Sequence, residues 1–172
     1  MRRNRLIARV IRLIPAAALM GAGAPGGTVL FAGGAWAAID RGSSCEALSR
    51  SVRVAIRGKA QPMASFAFTP DHRRWGELHV QLSREARPGA SVMLRIGGQP
   101  FLLAGRGGSA WSTGTGQEQA IQAAVRQGGV MRAEARDPAG RRFADAYPLD
   151  GAPTAIDSAA ARCALRGAGK IG

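Results

Sequence analysis

Short alternating runs of apolar and polar residues, cut by Gly and Pro at close intervals, constrain this chain most. Pro62 to Phe68, Glu77 to Leu82, Ser91 to Ile96, Pro100 to Leu103, Val130 to Arg136 and Arg141 to Leu149 are each a few residues long. In Glu77 to Leu82, Leu78, Val80 and Leu82 fall on one side, with Glu77, His79 and Gln81 on the other. A period of two over so few residues predicts strands with one buried face. Arg50 to Ile56 shows the same period through Val52, Val54 and Ile56. Gly97-Gly98 joins two runs directly, which predicts a tight hairpin whose central residues need positive φ. Asp137-Pro138-Ala139-Gly140 is a second strong turn, because Pro presets φ at its second position.

Two segments change period. Gln117 to Gln127 places Ala120, Ile121, Ala124 and Val125 at helical spacing, with Thr115 as the expected cap and Gly128-Gly129 as the stop. Ala152 to Leu165 predicts a terminal helix with Ala155, Ile156, Ala159 and Cys163 on its apolar face. The expected fold is mainly β, or α+β: an antiparallel, β-sandwich-like sheet of about six short strands, with two short helices in the C-terminal half.

The N-terminus reads as an export address. Arg2, Arg3, Arg5, Arg9 and Arg12 precede an apolar stretch, Leu13 to Ala37, that ends in Ala35-Trp36-Ala37. Basic, apolar and small-residue regions in that order describe a Sec-type signal peptide with cleavage near Ala37. The competing reading is an uncleaved anchor, since about 20 apolar residues span a bilayer. Pro15, Pro25 and scattered glycines make that stretch a poor continuous helix and favour cleavage. The expected organisation is a signal over 1–37, one domain over 38–166 and a frayed tail over 167–172. The mature chain then has no stable transmembrane span and is periplasmic or secreted.

Five of the 24 Lys and Arg residues leave with that segment and none of the 11 acids does, so the remainder carries a formal +8. Such a balance favours anionic partners, and an anionic polymer is one candidate. The basic residues are nearly all arginine and are spread along the chain, as on a solvated surface. No dense block with interleaved aromatics points to nucleic acid. Cys45 and Cys163 lie near opposite ends of the mature chain. An even count in an oxidising compartment predicts a pair, against two buried free thiols. With His72 and His79 they lack the paired spacing of a zinc site, so no metal or cofactor is expected.

A series of motifs resembles the invasion-associated locus B family of exported bacterial proteins. The series begins with Ile96-Gly97-Gly98-Gln99-Pro100-Phe101-Leu102-Leu103, Ala110-Trp111 and the helix before Gly128. It continues with Gly140, Asp145-Ala146-Tyr147-Pro148-Leu149, Gly151, Ala155-Ile156 and Cys163. Cys45 with Ala47-Leu48-Ser49 is similar to the family's N-terminal cysteine segment, and Glu77 fits its central acidic position. The resemblance covers most of residues 43 to 163 and rests on order and spacing. It implies a periplasmic or envelope-associated protein, with host-cell invasion linked to the namesake and no defined molecular activity. Two departures stand out. Relatives begin with a Gly-x-Trp strand, a part only Trp36 is placed to play; cleavage would then fall earlier, near Ala24. Pro148 replaces the usual Ser, and Pro cannot donate to a ladder.

Of the family positions, Gly97, Phe101, Trp111, Asp145, Tyr147 and Gly151 are expected to be structural, the aromatics as core anchors. Asp71, His72, Arg73, Arg74 and Trp75 form the best polar-aromatic cluster and the candidate interaction surface, in a segment that also reads as a solvated loop. No G-x-S-x-G, Walker loop or paired metal ligands occur. The expected function is a noncatalytic exported domain that works by binding an envelope or host-surface partner. The alternatives are a cationic module for anionic envelope polymers or lipid, and a hydrolase with His72 or His79 as base.

Overall fold

In a computed structural model the described residues are 27–55 and 57–169. The expected signal therefore lies largely outside them, as do Ile56 and residues 170–172. Ten strands and two helices follow in the order β1 Thr28–Gly33, β2 Trp36–Asp40, β3 Cys45–Arg50, β4 Met63–Phe68, β5 Trp75–Gln81, β6 Val92–Ile96, β7 Gln99–Arg106, β8 Ser109–Trp111, α1 Thr115–Val125, β9 Val130–Arg136, β10 Arg142–Pro148 and α2 Ala152–Ala168. The protein is mainly antiparallel β with both helices in its C-terminal half.

The strands form one continuous hydrogen-bonded order, β1-β2-β3-β4-β5-β8-β7-β6-β9-β10. The first five are laid down in sequence; the order then jumps to β8 and runs back through the β6–β7 hairpin. β7 serves two neighbours, pairing with β6 up to Leu103 and with β8 from Ala104. Further bonds join distant parts of the chain. The Ser83 N–H donates to Asp145 at 2.8 Å, the Tyr147 hydroxyl to the Gln81 carbonyl at 3.4 Å and the Val52 N–H to the Ala146 carbonyl at 3.0 Å.

Alternation decides which side chains are buried. Leu78 and Val80 of β5, Val92, Leu94 and Ile96 of β6, Met131 and Ala133 of β9, and Phe143 and Tyr147 of β10 point into a single core with Phe66, Phe68 and Ile121. α2 packs chiefly on β2 and β3 and adds Ala152, Ala155, Ile156, Ala159 and Cys163, one face at helical spacing. Small residues let the helix lie close to the sheet. Cys45 and Cys163 form a disulfide with Cα atoms 5.8 Å apart, tying β3 to α2 across a sequence separation of 118. Arg162 and Arg166 reach Asp40 at 2.7 and 3.0 Å beside it.

Several expectations need correction. About six strands understates the count. β1 and the start of β2 occupy the segment expected to be leader, β3 falls where small and polar residues hid its alternation, and β8 is only 3 residues long. The boundary expected at Ala38 cuts through β2. Trp36 is 2 % exposed and its indole N–H donates to the Pro148 carbonyl at 2.8 Å, so the folded unit begins by Thr28. The strand expected over Arg50 to Ile56 does not form over residues 51–55: Val52 and Val54 are 64 % and 84 % exposed, and β3 ends at Arg50; Ile56 lies outside the described residues. Gly114, with φ of 85°, caps α1 in place of Thr115, which is already helical. α2 runs on through Ala168, past the expected start of a frayed tail. Pro148 is the last residue of β10, an outermost strand, where its missing N–H costs no internal ladder bond.

Candidate anion-binding face

The strand parity that buries Val92, Leu94 and Met131 sends their neighbours to the opposite surface. Register makes that surface readable as rows across the sheet. Leu102, Met93, Glu134 and Ala144 form one row, and Pro100, Arg95, Arg132 and Ala146 form the next. Arg136 faces Arg142 on one flank, and Val130 faces Pro148 on the other. Arg53 joins from the loop beside β10, and Arg87 from the segment before β6. The result is an arginine-rich face with Glu134 as its acid.

A groove of about 780 Å³ opens on this face, lined by Arg53, Arg87, Arg95, Arg136 and Arg142 around Met93, Ala135, Phe143 and Ala144. Arg95 pairs with Glu134 at 3.4 Å. Arg136 donates to the Gly140 carbonyl at 2.8 Å, and Arg53 to the Ala144 carbonyl at 3.3 Å. The side chains of Arg87, Arg132 and Arg142 make no ion pair among the described residues, although Arg132 lies directly opposite Arg95. Adjacent like charges on one sheet face repel, and a bound anion relieves that cost. Guanidinium groups offer planar arrays of N–H donors that suit phosphate, sulfate or carboxylate oxygens.

Asp145 sits beneath Arg53. Its side chain is fully buried; Oδ2 accepts the Ser83 N–H, and Oδ1 lies 3.7 Å from the Arg53 Nε with no hydrogen bond of its own. A buried carboxylate needs a compensating cation. Arg53 supplies it, so Asp145 draws Arg53 against the edge of the groove. Burial pushes the neighbouring Tyr147 phenol well above its ordinary pKa, with the Asp145 charge adding to the effect, so Tyr147 stays neutral.

The cluster anticipated at Asp71 to Trp75 is built differently. It is the exposed turn between β4 and β5, and its polar groups satisfy one another. The Thr69 hydroxyl donates to Asp71 at 2.5 Å, Arg73 pairs with Asp71 at 3.4 Å and Arg74 approaches Glu77 at 3.9 Å. His72, at φ of 57°, stacks on Trp75 with centroids 3.9 Å apart, and Trp75 sits edge-on to Phe68. The other anticipated positions serve the fold. Gly97 and Gly98 turn the β6–β7 hairpin with φ of 53° and 87°. Phe101 packs against the core and Tyr147 is inside it. Gly151 starts α2 at φ of 83°, where a Cβ would lie 2.1 Å from the Gly33 carbonyl oxygen.

Trp111, expected as a core anchor, is not one: strand parity buries its neighbour Ala110 and leaves Trp111 half-buried on the other side, stacked on His79 at 5.2 Å. The His79 Nε2 lies 3.2 Å from the Ser109 hydroxyl, and burial lowers its pKa against the pull of Glu77 and Glu46. No carboxylate hydrogen-bonds this ring among the described residues, so the pair lacks the orienting third group of a nucleophilic triad. Nor do three or more His, Cys, Asp or Glu side chains gather as metal ligands among them. No described helix is long and apolar enough to cross a membrane.

Sequence reasoning missed Arg87, Arg95, Arg132, Arg136 and Arg142 as a group because they are scattered along the chain. The available signal was parity: Arg95 alternates against Leu94 and Ile96, and Arg132 and Arg136 against Met131 and Ala133.

No protein-family model matches the chain, and no curated protein or solved structure matches it.

Proposed function

We propose that this protein is an exported, noncatalytic envelope domain of the invasion-associated locus B type, and that it works by holding an anionic partner on the arginine face of β6, β9 and β10. The arginine-lined groove carries the reading. A disulfide between fully buried cysteines supports an oxidising compartment, the periplasm or the exterior. Because β1 and β2 belong to the fold, cleavage of the leader falls ahead of Gly27 rather than after Ala37. The formal +8 is unchanged by that shift, since no charged residue lies between Gly27 and Ala37.

The test is retention on immobilised dextran sulfate against neutral dextran along a salt gradient. The disulfide-bonded protein is expected to be held by the polyanion and released by salt, because screening weakens exposed charge pairs. A variant with Arg95, Arg132, Arg136 and Arg142 all changed to Gln should elute well before one with Arg57, Arg73, Arg74 and Arg106 changed to Gln. Equal elution of the two would mean that net charge alone is at work and would remove the site. The hydrolase alternative rests on the His79–Ser109 contact. A hydrolytic activity abolished by His79→Ala would restore it.

A further inference from the structure

We infer that the anionic partner is a phospholipid surface, a reading that rests on the anion-binding role proposed above. The observation behind it is where the exposed aliphatic side chains fall. Leu102 and Val130, 53 % and 38 % exposed, stand on the arginine face by register, Leu102 opposite Met93 and Val130 opposite Pro148. Val52 and Val54 flank Arg53 on the loop that runs along β10, where the Val52 N–H bonds the Ala146 carbonyl at 3.0 Å. Leu102, Val130 and Val52, three of the six exposed large hydrophobic residues among the described residues, thus border one arginine-rich face.

The combination selects a ligand class. The outward rows of β6, β9 and β10 hold no aromatic ring, and Phe143, which lines the groove, is only 6 % exposed, so a sugar or base polymer finds no open ring face there to stack on. Arginines that bind phosphate oxygens, framed by aliphatic side chains that enter the acyl boundary, match an anionic bilayer. Interfacial binding sums apolar burial and attraction to anionic headgroups in the same way.

The experiment is co-sedimentation of the disulfide-bonded protein with phosphatidylglycerol–phosphatidylcholine vesicles and with pure phosphatidylcholine vesicles, beside the dextran sulfate column. Binding is expected on the anionic vesicles only. Each of Arg95→Gln and Arg132→Gln should weaken it about fivefold. The variant with Val52, Leu102 and Val130 changed to Ser should lose about tenfold or more on vesicles, with its salt elution from dextran sulfate unchanged. These three side chains are exposed, and an unaltered urea midpoint will confirm that the variant folds. Dextran sulfate binding without vesicle binding would overturn the lipid proposal and leave the polymer reading standing. Vesicle binding indifferent to the Ser variant would also overturn it. Binding to neither surface would overturn the anion-binding reading itself.

Discussion

Loss of the Cys45–Cys163 bridge should destabilise the protein far more than loss of an ordinary buried contact. The bridge joins residues 118 apart. The chain-entropy relation gives about 5 kcal/mol for a loop of that size. The structure also shows why packing will not make up the difference. α2 meets the sheet with Ala152, Ala155, Ile156, Ala159 and Cys163, and only Ile156 is a large apolar side chain. Four small residues bury little apolar area, so the helix depends on the disulfide and on Arg162 and Arg166 at Asp40. The Cys45→Ala/Cys163→Ala variant is the perturbation, since Ala leaves no unpaired polar group in the core. With a urea dependence of about 1.5 kcal/mol per molar, the midpoint should fall by about 3 M. Fluorescence of the buried Trp36 reports the transition. Hydrogen exchange should show the α2 amides opening ahead of β4 and β5. A midpoint shift under about 0.5 M, with α2 still protected, would refute the reasoning and show that packing holds the helix.

Three further outcomes follow from the fold. A chain starting at Ala38 should be insoluble where one starting at Gly27 folds, because it lacks β1 and the buried Trp36; emptying that site with Trp36→Ala costs about 3–5 kcal/mol, read from urea midpoints. Acid should destabilise the protein through Asp40. Burial raises its pKa, but the Arg162 hydrogen bond, the Gly42 N–H and the Arg166 charge outweigh this and hold it below the usual carboxylate value. Its contribution is present above the unfolded pKa of about 3.9 and is lost as pH falls through the lower folded value. Asp40→Asn should therefore flatten the acid limb of a Tm-against-pH curve. Gly140→Ala, at φ of 80° in open space, should cost about 1–2 kcal/mol, while Gly151→Ala should cost more because its Cβ meets the Gly33 backbone; thermal denaturation of the pair checks the order.

Legibility in the sequence followed the physics of each element. β4, β6, β9, β10 and both helices declared themselves by period and by the turns that bound them. β1 and β2 did not, because Thr28 to Ala37 is as apolar as a leader, and only partner strands distinguish a buried hairpin from an exported segment. β8 is too short to show a period. Val52 and Val54 imitated a strand, yet that segment is drawn to β10 by the Val52 N–H and by Arg53 answering Asp145, contacts no local pattern reveals. The Asp71 to Trp75 cluster was visible because its residues are contiguous, and contiguity proved to be a self-satisfied turn. The arginine face was invisible for the opposite reason: strand register brings together residues from the chain's middle and its C-terminal third.

Amide shift mapping decides whether the arginine face is where anions bind. Isotope-labelled, disulfide-bonded protein is titrated with a short polyphosphate at low and at high salt. Shifts should be confined to residues 91–95, 132–136 and 142–146 and to Arg53 and Arg87, and should disappear at high salt. Shifts centred on Asp71 to Trp75, or scattered evenly over every arginine, would contradict it.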